Sequence, residues 1–379
     1  MLSRYRRYLA IVAFLLLASP LIAGIVAPDS PDLILKEGRR MAPAPAALTT
    51  LQGWRSLPQE VDAYLKDRFG LRQKMIRLNR DLTKPIVAEG NPKVLIGRNG
   101  HMFLKLDSMV QQSAGIILRD KSVSETADTL ASISESLARR GVKFLVAIPP
   151  NPSTIYPDDL PVWAQSNGRK TEYDLILEDL AARGVKMVDL RPAMTAVRPQ
   201  GAAYYQHDTH WTGLGALAAF NAIVDADSHP EWRVDPKAAL APTVRKGGDL
   251  VWLLGAQQNL VENAEDLTMH VNAETEILAE GPTPVMPDQL MTSGKPGETV
   301  MVIGDSFTMS AFPPLLLQNV KRVVWLHHRW CAFQWKWIEE FHPDEVWWMP
   351  TERSLNCNPG ARPIDFDERS ASQAAEGLR

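Results

Sequence analysis

Between about residue 120 and residue 355 the chain alternates short, wholly apolar runs with longer segments of helical period, and this alternation limits the fold more than any other feature. Phe144-Leu145-Val146-Ala147-Ile148 is stopped by Pro149-Pro150, Val300-Met301-Val302-Ile303 is stopped by Gly304, and residues 323–326 and 345–349, the latter apolar after Glu345, repeat the pattern. A strand that is apolar on both faces is buried on both, which is the condition of a central parallel strand. Between these runs Leu130, Ile133 and Leu137 line one helical face, opened by Ser122 with Glu125 as a capping box and closed by Gly141. Residues 171–183 read as a second helix, stopped by Gly184 before a strand over 185–190; Leu217, Phe220 and Val224 mark a third helix. Strands alternating with helices of this length predict an α/β fold, a doubly wound parallel sheet with helices on both faces.

The flanks set the compartment. Arg4, Arg6 and Arg7 precede an uncharged, mostly apolar run over residues 8–27, and a spanning helix needs about 20 such residues. Cationic flanks stay on the cytoplasmic side, so the expectation is a single-pass inner-membrane protein whose folded part faces the periplasm. A cleaved signal peptide also fits, because Ile25-Val26-Ala27 ends in a small residue. The run is longer than the roughly 7–15 residues of a signal h-region, which favours a retained anchor. Residues 1–30 are thus assigned to the anchor, 31–56 to a linker with a Pro-Ala stretch at 42–47, 57–358 to the functional domain and 359–379 to a loose tail. Within the domain, helices are expected over 57–82 with a break at Gly70. Asn99-Gly100 marks a hairpin, and 235–297, Pro- and Gly-punctuated without clear period, reads as an insertion. The net charge of -3 offers no basic surface for nucleic acid. The two cysteines, Cys331 and Cys357, have no zinc-knuckle spacing; an exported chain permits a disulfide between them, and two separate thiols fit equally.

Ligands bind an open parallel sheet at the carboxyl ends of its strands. Gly304-Asp305-Ser306-Phe307 lies at such an end, with Ser306 on the rim and its backbone N–H aimed where an oxyanion would form. A serine hydroxyl needs a base. His210 in Gln206-His207-Asp208-Thr209-His210-Trp211 is the best placed of eight histidines, and Asp208, two residues away, can reach its imidazole and fix the tautomer. The same stretch is dense in metal ligands, so a site built on His207, Asp208 and His210 is the competing reading; no second cluster with ligand spacing accompanies it, apart from His327-His328, and no metal is assigned.

These motifs, taken in order, resemble the alginate O-acetyltransferases AlgJ and AlgX and their relatives, whose domain is SGNH-hydrolase-like. The resemblance covers roughly residues 57–355 through Asp67-Arg68-Phe69-Gly70-Leu71-Arg72, Ile96-Gly97-Arg98-Asn99-Gly100, Tyr156-Pro157 before Leu160-Pro161, Asp208-Thr209-His210-Trp211-Thr212, Gly248-Asp249-Leu250, Gly304-Asp305-Ser306-Phe307 and Glu352-Arg353. It is nearer the anchored AlgJ type, since no long C-terminal sugar-binding module follows. The resemblance implies a catalytic triad of Ser306, His210 and Asp208, acetyl transfer onto an exported polysaccharide without a cofactor, and a multi-spanning partner of the MBOAT class that delivers the acetyl group. The SGNH oxyanion Gly and Asn are not identifiable by spacing, so Asn151 stands beside the Ser306 N–H as the assigned donor. Trp211, Arg329 and Arg353 are assigned to the sugar or an anionic group on it. The aromatics Phe333, Trp337 and Phe341 share one helical face and read as core. An esterase with the same triad and a noncatalytic polysaccharide-binding scaffold are the alternatives.

Overall fold

The computed structural model describes residues 91–254, 260–269, 271–281, 286–329 and 332–355, with residues 7–9, 12, 14, 15, 19, 54, 57–62 and 64 of the N-terminal segment. The chain divides into two units, Met1–Val87 with Thr283–Val285, and Ala88–Pro282 with Met286–Arg379. In the first unit the described residues are helical, including 57–62 and 64. Most of the run at 8–27, the linker stretch 42–47, the motif 67–72, both cysteines and the tail 359–379 lie outside the described residues. Among the described residues no helix is long and apolar enough to cross a membrane.

The second unit opens with a hairpin of β1 (Val94–Ile96) and β2 (Met102–Leu104), antiparallel, turned by Asn99 and Gly100 at positive φ as expected. Its main body is a six-stranded sheet built from β3 (Lys143–Val146), β6 (Glu274–Ala279), β7 (Asp288–Thr292), β8 (Thr299–Gly304), β9 (Arg322–His327) and β10 (Glu345–Met349) in the order β3-β10-β8-β9-β7-β6. A separate antiparallel ribbon joins β4 (Leu240–Lys246) to β5 (Val261–Leu267).

Alternation along the strands divides the core into two. Leu145, Val300, Val302, Val323, Trp325 and Trp347 face one layer, which holds helix α3 (Gly213–Ala226) through Leu217, Phe220 and Val224. Val146, Met301, Ile303, Val324, Val346 and Trp348 face the other, which holds α1 (Asp120–Ala138) and α2 (Glu172–Ala182). Helices therefore cover both faces, as the wholly apolar strands require. Phe333, Trp337 and Phe341 are buried in the second layer.

Four expectations are corrected. The sheet is mixed: β3, β10, β8 and β9 run parallel, but β7 and β6 extend it antiparallel beyond β9. The link from β7 to β8 covers only 293–298, and a parallel crossover needs about a dozen residues or more. Consequently the stretch 235–297 is no insertion outside the sheet, since it supplies β6 and β7 as well as the ribbon. Residues 185–190 make only a single parallel bridge, Val146 to Met187, because Asp189 turns to bind Arg191 and Pro192 opens a helix. Helix α1 begins at Asp120, which leaves Ser122 and Glu125 inside it; the guanidinium and backbone N–H of Arg119 bind the buried Glu172 and set that start instead.

Candidate active site

Strand β8 is buried along its whole length and ends at Gly304. A Cβ there would lie 2.2 Å from Thr308 Oγ1, so only glycine lets the chain fold back over the strand end into α4 (Ser306–Met309). Asp305 caps this short helix: Oδ1 accepts the Phe307 N–H at 3.0 Å, and Oδ2 accepts the N–H and hydroxyl of Thr351. Burial opposes a charge on Asp305, but Arg353, His328 and these donors together hold its carboxyl below the ordinary range. Ser306 is the first helical residue and half-buried, and its N–H is one of those a helix start leaves unpaired.

The loop before α3 comes to meet it. His210 Nε2 lies 2.8 Å from Ser306 Oγ, and His210 Nδ1 lies 2.6 Å from Asp208 Oδ1. Asp208 is buried; burial pushes its carboxyl up, but the bonds from His210 and the charge of Arg245 outweigh that and hold it well below the usual carboxylate range. An ionised carboxylate can only accept, so Nδ1 carries the proton and Nε2 is left to accept from the Ser306 hydroxyl. Three residues from two distant segments thus form one proton relay. The other oxygen of Asp208 accepts from Arg245 Nη2 at 2.8 Å and from the Asp249 N–H at 3.1 Å.

The remaining assigned residues are placed differently. Trp211 is buried, stacked on Phe312, with its Nε1–H donated to the Phe307 carbonyl at 3.0 Å. It is enclosed beneath the site and has no face for a sugar. Asn151 is buried with its N–H on a Glu352 oxygen and its amide nitrogen 3.3–3.4 Å from Ser113 and Gln112. These contacts tie it to a polar network around Glu352 and lend no support to an oxyanion role. Arg329 is held at the antiparallel edge by Asp288 and the Glu280 carbonyl. Arg353 lies over the Phe307 ring at 5.3 Å and 3.9 Å from Asp305, so its charge acts on the segment that carries Ser306.

Donor atoms of Asp208, His210 and Asp249 lie within 4.8 Å of one another. Nδ1 and Oδ1, however, face each other at 2.6 Å, closer than the roughly 3.3 Å between two ligands of a tetrahedral ion with bonds of about 2 Å. His207 faces Glu262 instead, 3.6 Å away. The site is therefore built as a hydrogen-bonded relay.

Sequence reasoning left Arg245 and Asp249 without roles. Asp249 accepts from the N–H and hydroxyl of Thr209, and its carboxyl is raised by burial first and then by the charge of Asp208. A signal for Asp249 was present in Gly248: at φ 152°, a Cβ there would meet the His207 carbonyl oxygen at 2.1 Å, so the loop demands glycine. No signal marks Arg245, which lies in the aperiodic stretch.

The sequence model of a family described as the SGNH hydrolase-like domain of the acetyltransferase AlgX matches residues 94–349. The chain belongs to this family. Among curated relatives of this AlgX-type domain, the probable alginate O-acetylase AlgJ of Pseudomonas aeruginosa is 25% identical over 167 residues, 42% of this chain and 39% of that protein. The AlgJ of Azotobacter vinelandii is 23% identical over 155 residues, 41% of this chain and 39% of that protein. The chain thus spans about two fifths of the length of these relatives. Of solved structures, a DHHW family protein from Eubacterium siraeum shares the fold, with a TM-score of 0.52 at 14% identity over 71% of this chain and 93% of that one. The O-acetyltransferase domain of Pseudomonas putida AlgJ gives a TM-score of 0.46 at 18% identity, covering 75% of this chain and 99% of that one.

Proposed function

We propose that this AlgX-type chain is a serine-dependent O-acetyltransferase that moves an acetyl group through an acyl-Ser306 intermediate onto hydroxyls of an exported polysaccharide. The single observation that carries this reading is the relay from Asp208 through His210 to Ser306, with spacings of 2.6 and 2.8 Å. Such spacings suit a nucleophile with its base and orienting acid.

In the first half-reaction the Ser306 oxygen attacks the carbonyl carbon of an acetyl ester or thioester as His210 Nε2 takes the hydroxyl proton. The Ser306 N–H donates to the oxyanion, and the imidazolium then returns its proton to the departing group, leaving acetyl-Ser306. In the second half a sugar hydroxyl attacks the acetyl carbon, His210 takes that proton, and collapse releases the acetylated sugar and returns the proton to Ser306. The names of the AlgJ relatives support alginate or a similar exopolysaccharide as acceptor. The basic, apolar N-terminal run supports an inner-membrane anchor with the domain in the periplasm, and the resemblance to the AlgJ and AlgX acetyltransferases implies a membrane partner of the MBOAT class as acetyl source.

The test offers the purified chain an activated acetyl ester with and without an oligosaccharide. Acetylated oligosaccharide together with acetyl-Ser306 in a quenched sample is the expected outcome. Acetate release with no transfer makes the chain an esterase with the same triad, and full turnover in Ser306→Ala removes the proposed nucleophile.

A further inference from the structure

Arg245 projects from the ribbon, outside the sheet that carries the nucleophile. Its Nη2–H donates to Asp208 Oδ2 at 2.8 Å while its guanidinium lies on the Tyr205 ring at 4.1 Å. Tyr205 is itself tied to the base, because its N–H donates to the His210 carbonyl at 3.1 Å and its hydroxyl donates to Asp266 of β5. Directly across the ribbon from Arg245 stands Glu262, whose carboxylate accepts the Gln206 N–H at 2.5 Å. One cross-strand pair therefore grips the loop 205–210 at two points.

We infer that Arg245 is a positioning residue for acyl transfer, holding Asp208 so that one oxygen is reserved for His210 and balancing the second carboxylate, Asp249, beside the imidazole. The inference rests on the acyltransferase reading. Its physical ground is the crowding of acids around one ring. His210 Nδ1 lies 2.6 Å from Asp208 and 3.9 Å from Asp249. Without a cation here, rotation of the Asp208 carboxylate would let Asp249 compete for the Nδ1–H, and two acids would hold the imidazolium too firmly to return its proton. A planar, always charged guanidinium fixed against a tyrosine face opposes both. The other charged groups facing this cluster are Glu262 and Asp266 from β5, His207 on the loop itself, and Arg353 across the Phe307 ring that touches His210 at 4.9 Å.

The test follows the rate of Ser306 labelling by a phenylmethylsulfonyl fluoride across pH in the full chain, in Arg245→Gln and in Arg245→Lys. Arg245→Gln is expected to slow labelling about tenfold at pH 7 and to move the acid limb of the profile up by roughly one pH unit, the effect of losing one nearby charge. Arg245→Lys, which keeps the charge but not the fork, is expected to return the limb to its original position with only part of the rate. Should Arg245→Gln not fold, Arg245→Met serves in the same comparison. Labelling of Ser306 with the same rate and limb in the uncharged variants overturns the role given to Arg245. Failure of the unaltered chain to label at Ser306 overturns the acyltransferase reading instead.

Discussion

One carboxylate oxygen of Asp208 accepts two bonds from His210, one from the imidazole Nδ1–H at 2.6 Å and one from the backbone N–H at 3.0 Å. Two residues apart, acid and base thus orient each other through a single turn of chain, and the ring plane is set before any substrate arrives.

The relay is expected to fail as a unit. Ser306→Ala, His210→Ala and Asp208→Ala should each lower kcat by about a thousandfold or more, and the double variants should be little worse than the singles. Steady-state rates and melting temperatures of all six proteins check this. Additive losses would mean that the three residues do not act in one step.

Activity should depend on one proton at the acid side. Asp208 remains ionised well below neutrality, so the loss expected on the acid side is protonation of the imidazole base and not of its acid partner. The kcat/KM profile should fall with unit slope there and be insensitive to EDTA. Loss of rate to EDTA that added metal restores would overturn the relay.

Trp211→Phe keeps the stacked ring and removes the Nε1–H that holds the Phe307 carbonyl. Because that carbonyl is buried, the expected cost is about 1–3 kcal/mol of stability. A fall in kcat with KM nearly unchanged should accompany it, since the bond supports the helix bearing Ser306. A raised KM at constant kcat would give Trp211 a part in binding after all.

Glu352 gives a stability prediction away from the reacting atoms. Burial pushes its carboxyl up to about 7 despite the bonds from Asn151 and Thr154. A group raised in the folded state contributes stability that is complete below its unfolded value, near 4.5, and is lost as pH rises through about 7. The melting temperature should therefore decline between pH 5 and pH 8, and Glu352→Gln, which mimics the protonated acid, should flatten that decline. An unchanged slope would remove Glu352 as its cause.

The central strands and the pairing of Asp208 with His210 were legible because each depends on local pattern. Apolar runs such as Val300-Met301-Val302-Ile303 have no half-exposed alternative, and Asp208 and His210 are close enough in sequence to meet in one turn. What could not be read depends on contacts between distant segments. Arg245 reaches Asp208 only through the ribbon register, and Arg119 displaces the Ser122–Glu125 cap only because Glu172 is packed beside it. Trp211 shows the reverse case, a residue type that often meets sugars, here enclosed by Phe307 and Phe312.

Strand β10 lies between β3 and β8, although it is the last of the described strands in the chain. As a ribosome delivers the protein, the nucleophile strand emerges some forty residues before its neighbour, and Thr351 and Arg353, which steady Asp305, follow later still. A nascent chain that already contains Ser306, His210 and Asp208 therefore still lacks the wall that shapes the serine turn. On the function proposed above, competence to acylate should therefore appear only once residues 345–353 have folded against β8, and not when Ser306 itself emerges.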